Sequence, residues 1–387
     1  MSLFLIKGAQ VYVPESLGRM DVLVGGGKVL AIDAQLAVDM PNLHTIDATG
    51  QVLIPGFVDP LAHISGGGGE GGFTSRTPAL NFDDAVKAGV TTMVAALGTD
   101  AITRSLEDML ATAKAINEYG LNAYIYTGNY HLPAVTLTGS VSKDIMLISE
   151  CIGVGEVAIS DHRSSQPTMQ QLAELAAQAR VGGMLSGKAG VVFIHVGPSD
   201  THLSLLQSVV SESDIPIAQF HPTHMNRDQA LLDAGIAWTQ TGGSIDFTAS
   251  TNEHFIAEGE IPAAQAVAIA LEQGVAAEQM TISTDANASL PVFDDKGDLI
   301  GLELGDIASL HEAFQQLVLE HNVDISHAVQ VCSTSAAKIL GLPAGSITLG
   351  DNADLVLLDQ RDLSITSVFA KGRCLMLNQQ LQVKAPF

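Results

Sequence analysis

Five side chains able to bind a metal ion stand on or just past short apolar runs: His63, Glu156, His195, His224 and Asp285. Three imidazoles and two carboxylates form a donor set suited to zinc or a similar divalent ion. Taken singly, each has a blander reading. His195, in Phe193-Ile194-His195, reads alone as a hydrogen-bonded core histidine. Glu156 lies inside Val154-Gly155-Glu156-Val157-Ala158-Ile159, and a carboxylate buried in such a run is costly unless paired or bound to metal. Asp285, ending Thr281-Ile282-Ser283-Thr284-Asp285, makes the same argument. Together the five favour one metal site over five unrelated core residues.

For these residues to meet, the elements carrying them must converge. Residues 57–63 read as a short strand ending in His63, followed by the glycine loop Gly66-Gly67-Gly68-Gly69-Glu70. Apolar runs predict seven more strands at 91–98, 122–128, 154–160, 190–196, 215–221, 244–249 and 280–285. Helical patterns lie between them. In 168–182, Met169, Leu172, Leu175, Ala176 and Ala179 recur at helix spacing. Two further helices are expected over 306–319 and 325–340. Alternation of this kind predicts an α/β chain built on a TIM-like (β/α)₈ barrel, whose strands all present their carboxyl ends at one face. Both chain ends are instead β-rich, with hairpin-like runs before residue 54 and after residue 345. The expected division is therefore a barrel over 55–345 and a composite sheet domain from 1–54 and 346–387.

Composition narrows the partners. The chain has 387 residues, 47% of them apolar, enough for a large core. The formal charge of −24 argues against nucleic acid and anionic membrane as partners, since both repel an acidic surface. No apolar run is long enough for a membrane span and no signal-peptide pattern opens the chain. Three cysteines without CxxC spacing fit a reducing, cytoplasmic setting.

Several stretches carry a resemblance: Gly66–Glu70, Leu97-Gly98-Thr99-Asp100, Thr127-Gly128-Asn129-Tyr130-His131, Ala158–Ser164, Pro222–Arg227 and Ser283–Ser289. In these the chain resembles the amidohydrolase superfamily and, within it, the bacterial isoaspartyl (β-aspartyl) dipeptidases. The resemblance implies a (β/α)₈ barrel with a β-sandwich made from both termini, a zinc-dependent hydrolase of the β-peptide bond, and a homo-oligomer for which it allows an octamer. It also implies roles. Asp285 would move the proton and Tyr130 would support the oxyanion. Glu70 would hold the substrate ammonium, Arg163 and Arg227 its carboxylates, with Thr99 and Ser289 adding hydrogen bonds. Four successive glycines suit a loop that orders over the ligand.

Two positions depart from the family pattern. The family ends its first strand with His-x-His, and here the first of the pair is Leu61. The family bridges two zinc ions with a carboxylated lysine on strand four, and here that position is Glu156. The loss of one ligand and the shorter stem of Glu predict one firmly held ion, with Glu156, His195 and His224 at its centre. His63 and Asp285 stand at a weak or empty second place, and a binuclear site bridged by Glu156 is the alternative. Such a set resembles the single-metal N-acetylglucosamine phosphate deacetylases of the same superfamily. Two other functions stay open: hydrolysis of another N-acyl amino acid, and an impaired ligand-binding relative.

Overall fold

A computed structural model describes residues 3–293 and 299–383. Its centre is a curled parallel sheet of six strands in chain order: β1 (Phe57–Ala62), β2 (Val90–Ala95), β3 (Asn122–Thr127), β4 (Cys151–Ile159), β5 (Val191–Val196) and β6 (Phe220–Thr223). Two more parallel strands, β7 (Ile245–Thr248) and β8 (Met280–Ser283), pair with each other. Backbone hydrogen bonds cross both seams. Met225 N donates to Asp246 O at 3.1 Å, His63 N to Ala286 O at 2.8 Å and Asp285 N to Leu61 O at 3.0 Å. The arrangement is of TIM-barrel type, with the site-bearing strand ends facing one way. Strands β1, β2, β4 and β5 are buried along their whole length, the reason they read as unbroken apolar runs.

Helices pack around the strands where the periodicity places them. The helix expected over 168–182 runs Met169–Ser186. Thr168 caps it, with Gln171 completing a reciprocal capping box, and Gly187 ends it at φ 69°. Two expectations shift. The strand expected over 215–221 is Phe220–Thr223, because Pro216 opens a tight turn, Ile217–Gln219, instead of pairing. The helix expected over 325–340 contains a wide π-type turn at Gln330–Thr334, where Ser333 Oγ donates to Gly56 O at 2.7 Å.

Both chain ends build a single nine-stranded sheet. Its central junction pairs Leu355–Asp359 antiparallel to Gln51–Pro55, so the last part of the chain lies beside the run that leads into β1. The sheet has its own core, including Ile6, Val11, Val22, Leu53, Leu355 and Phe369. Inside the barrel a separate cluster gathers Val58, Leu61, Val94, Tyr126 and Phe193. Leu61 is fully buried there, among apolar neighbours. No described helix is long and apolar enough to cross a membrane.

Candidate active site and metal centre

The strand ends bring the five expected ligand-type residues together. One oxygen of Glu156, on β4, lies 3.3 Å from His195 Nδ1 and 3.5 Å from His224 Nε2. The other lies 3.7 Å from His63 Nε2, which is 3.0 Å from Asp285 Oδ1. Backbone strain collects here. Ser160 after β4, His224 after β6 and Asp285 after β8 all have left-handed backbones, at φ 53°, 64° and 52°. Such conformations cost non-glycine residues about 1–3 kcal/mol and cluster at functional sites.

Each histidine has one ring nitrogen occupied from outside, which aims the other inward. His63 Nδ1–H donates to Ala96 O at 3.0 Å. His224 Nδ1 is bonded to Thr248 Oγ1 at 2.6 Å. His195 Nε2–H donates to Asp161 Oδ2 at 2.9 Å. Outer partners of this kind orient metal-binding imidazoles.

The donor set fits a divalent ion. Ligand atoms about 2.1 Å from one tetrahedral ion would lie about 3.4 Å from each other, and the spacings around Glu156 match this. All three groups are buried and their donor atoms lie within 4.8 Å of one another. Space is also kept: a side chain at Gly98 would come within 3.1 Å of His63 Cε1 and 3.6 Å of Glu156 Oε1.

The electrostatics favour charged carboxylates. Burial works to raise the Glu156 pKa, but the His195 and His224 imidazoles beside it, and then His63, hold it below the usual carboxylate range. Asp285 is likewise held down against burial by His63. Burial opposes charge on His63, yet Asp285 and then Glu156 raise it to about 9. His224 is lowered to about 4, mainly by burial, with the Arg227 charge adding. The Tyr130 hydroxyl is pushed well above its ordinary value, first by burial and then by the Glu156 charge, so it stays a donor. It donates to His195 Nδ1 at 2.8 Å.

Above these groups opens a cavity of about 530 Å³. Every expected site residue lines it except Glu156, which lies beneath. Thr99 Oγ1 and Ser289 Oγ donate to the two oxygens of Glu70 at 2.7 and 3.0 Å, and Arg163 Nη1 is 3.7 Å away. The Arg227 side chain makes no hydrogen bond or ion pair among the described residues, leaving its donors free toward the cavity. The glycine loop carrying Glu70 is already pinned. The Arg104 guanidinium donates to Ser65 O, Gly67 O and Thr77 O, at 2.5, 2.9 and 2.8 Å. A side chain at Gly68, φ 69°, would collide with Ser75 O.

Three supporting residues escaped the sequence reading. Asp161 and Thr248 hold histidines, and Arg104 holds the loop. Asp161 carried the best signal, an acid two residues before Arg163 just past a buried strand. Thr248 in a strand reads only as a good β-former.

Comparison with known proteins agrees with this geometry. The amidohydrolase family profile matches residues 52–375. The β-aspartyl dipeptidase of the keratin-degrading thermophile Fervidobacterium islandicum AW-1, solved in complex with β-Asp-Leu dipeptide, is 40% identical. The alignment covers 100% of both chains with a TM-score of 0.92. A second structure of that organism's β-aspartyl dipeptidase gives 38% identity and a TM-score of 0.91, again over 100% of both chains. The dihydroorotase of Citrifermentans bemidjiense is 23% identical, over 92% of this chain and 89% of its own length.

Proposed function

Because this chain belongs to the amidohydrolase family and is a hydrolase, we propose that it cleaves the β-peptide (isoaspartyl) bond of β-aspartyl dipeptides. The observation that carries the reading is that a metal-type cluster and a wall bearing Glu70, Arg163 and Arg227 share one cavity. Glu156, His195 and His224 would hold one zinc ion or a similar divalent cation, with His63 and Asp285 beside it. When bound, such an ion polarises the scissile carbonyl and lowers the pKa of water toward neutrality. Asp285 takes the proton from the attacking water and returns it to the leaving amine as the C–N bond breaks. The Tyr130 O–H donates to the oxygen on which charge develops. Glu70, braced by Thr99 and Ser289, binds the α-ammonium. Arg163 and Arg227 bind carboxylates, the task for which forked guanidinium donors are suited.

The burial of Leu61 in the barrel core supports one ion over two. We also read 55–345 as the hydrolase barrel and 1–54 with 346–387 as one accessory domain. The separate core of the terminal sheet supports that division.

The test combines metal content with turnover of β-Asp-Leu, N-acetyl-aspartate and dihydroorotate on the same sample. The expected result is about one ion per chain, turnover of β-Asp-Leu first among the three, and loss of both ion and turnover in Glu156→Ala. Preference for either other substrate, or turnover unaffected by Glu156→Ala, would overturn the proposal.

A further inference from the structure

Asp161 stands between two parts of the site that the roles above treat separately. It is 3% exposed. Its Oδ2 accepts from His195 Nε2 at 2.9 Å and from Arg163 Nη2 at 2.7 Å. Its Oδ1 accepts from the Arg163 backbone N at 2.7 Å and from Nε at 3.0 Å. We propose that Asp161 is a positioning residue that fixes His195 and Arg163 together, so that metal binding and substrate-carboxylate binding depend on one buried carboxylate. The inference rests on the metal-hydrolase reading and adds a coupling to it.

The argument is one of donors and acceptors. A neutral imidazole has one N–H and one lone pair, and an ionised carboxylate only accepts. Asp161 therefore places the proton of His195 on Nε2 and leaves the Nδ1 lone pair facing Glu156. The same carboxylate grips Arg163 through a two-pronged fork, which fixes the plane of the guanidinium. Its free corner, Nη1, is left 3.7 Å from Glu70 Oε1, on the cavity wall. An amide at position 161 would put an NH₂ against donors on one of its two sides. Arg163 would lose one prong in either orientation, and with the NH₂ on the Oδ2 side His195 would also have to turn over its tautomer.

The test uses the full-length protein with Zn²⁺ alone as the first probe, its affinity read by competition with a chromophoric chelator. Asp161→Asn is expected to weaken zinc binding by about 10–100-fold and to raise the KM for β-Asp-Leu. Arg163→Ala is expected to raise KM while leaving zinc affinity within about twofold, far below that outer-partner effect. Combining the two should raise KM no further than Arg163→Ala alone, because both act through one contact. Unchanged zinc affinity in Asp161→Asn, or independent effects on KM, would overturn the coupling. A measurement on the unmutated chain guards against a variant that fails to fold: histidine ¹⁵N NMR should find His195 as the Nε2–H tautomer, and an Nδ1–H tautomer would also overturn it. If the unmutated chain binds zinc but leaves β-Asp-Leu intact, the functional reading falls while the zinc affinities still decide on Asp161.

Discussion

Two groups of buried polar residues stand on the strands of one barrel and use the same residue types. One is the site: Glu156, His195, His224, His63 and Asp285. The other lies earlier along the strands. There His221 is bonded to Ser244 Oγ and Thr281 Oγ1 at 2.8 and 2.9 Å, and Asp246 accepts from Thr223, Thr281 and Ser283 at 2.5, 2.5 and 2.6 Å. Asp59 accepts from Thr284 Oγ1 at 2.5 Å and from Thr284 N at 3.0 Å. In this group carboxylates meet hydroxyls and every carboxylate oxygen finds a donor. Burial pushes Asp59 and Asp246 up to about 7 and His221 down to about 3. In the site carboxylates meet imidazole nitrogens, acceptors outnumber donors, and Glu156 and Asp285 stay low. The lesson concerns partners. A strand-borne histidine is placed to bind a metal ion when its inward nitrogen meets carboxylates, and is spent on the core when both nitrogens meet hydroxyls.

The largest expected effect is on Asp285. Asp285→Asn should lower kcat for β-Asp-Leu by about 10²–10⁴-fold with KM little changed, as for loss of a general base. Steady-state kinetics reads it, and a KM effect alone would place Asp285 in binding. Tyr130→Phe should cost about 10²–10³-fold in kcat, the range for one oxyanion donor. Chelation should lower the melting temperature of the unmutated chain and leave that of Glu156→Ala unmoved. At free zinc 100 times Kd the linked stabilisation is about 2.7 kcal/mol. Asp246→Asn should instead cost about 1–3 kcal/mol in urea unfolding by leaving hydroxyls unpaired, with zinc stoichiometry unchanged. Loss of zinc without loss of stability would erase the distinction between the two groups.

A further effect is in pH, and its sign differs between the groups. His221 titrates near 3 when folded against an ordinary value of 6.5, so the unfolded chain binds the extra proton between them. Stability should fall as pH drops from about 6.5 toward 3. His63 in the metal-free protein is raised to about 9. Its contribution is complete below about 6.5 and lost as pH rises through 9. Urea midpoints of chelated protein should lose the acid slope in His221→Gln and the alkaline slope in His63→Gln.

Much of this was legible before any coordinates. Parallel strands covered on both faces are apolar runs, so β1 to β5 and β7 stand out, and a Glu inside one of them is conspicuous. The shift of β6 came from a proline that the apolar count ignored. What stayed hidden depends on contacts distant in the chain. Asp161 meets His195 34 residues later, and Thr248 meets His224 24 residues earlier. Neither pairing leaves a local pattern. The contrast between His221 and His224 was invisible for the same reason: one lies in β6 and the other just past it, and what faces each comes from distant strands.

The pairing of Leu355–Asp359 with Gln51–Pro55 also sets an order of events during synthesis. The strand that leads into His63 emerges early, and its neighbour in the terminal sheet emerges about 300 residues later. At about 5–20 residues per second, tens of seconds separate them. Until then the run before β1 has an open edge on that side. A nascent chain halted after residue 285 would hold all five ligand-type residues without that edge covered. Ribosome-bound chains of increasing length should therefore gain protease resistance around Gln51–Pro55 only once residue 359 has cleared the exit tunnel.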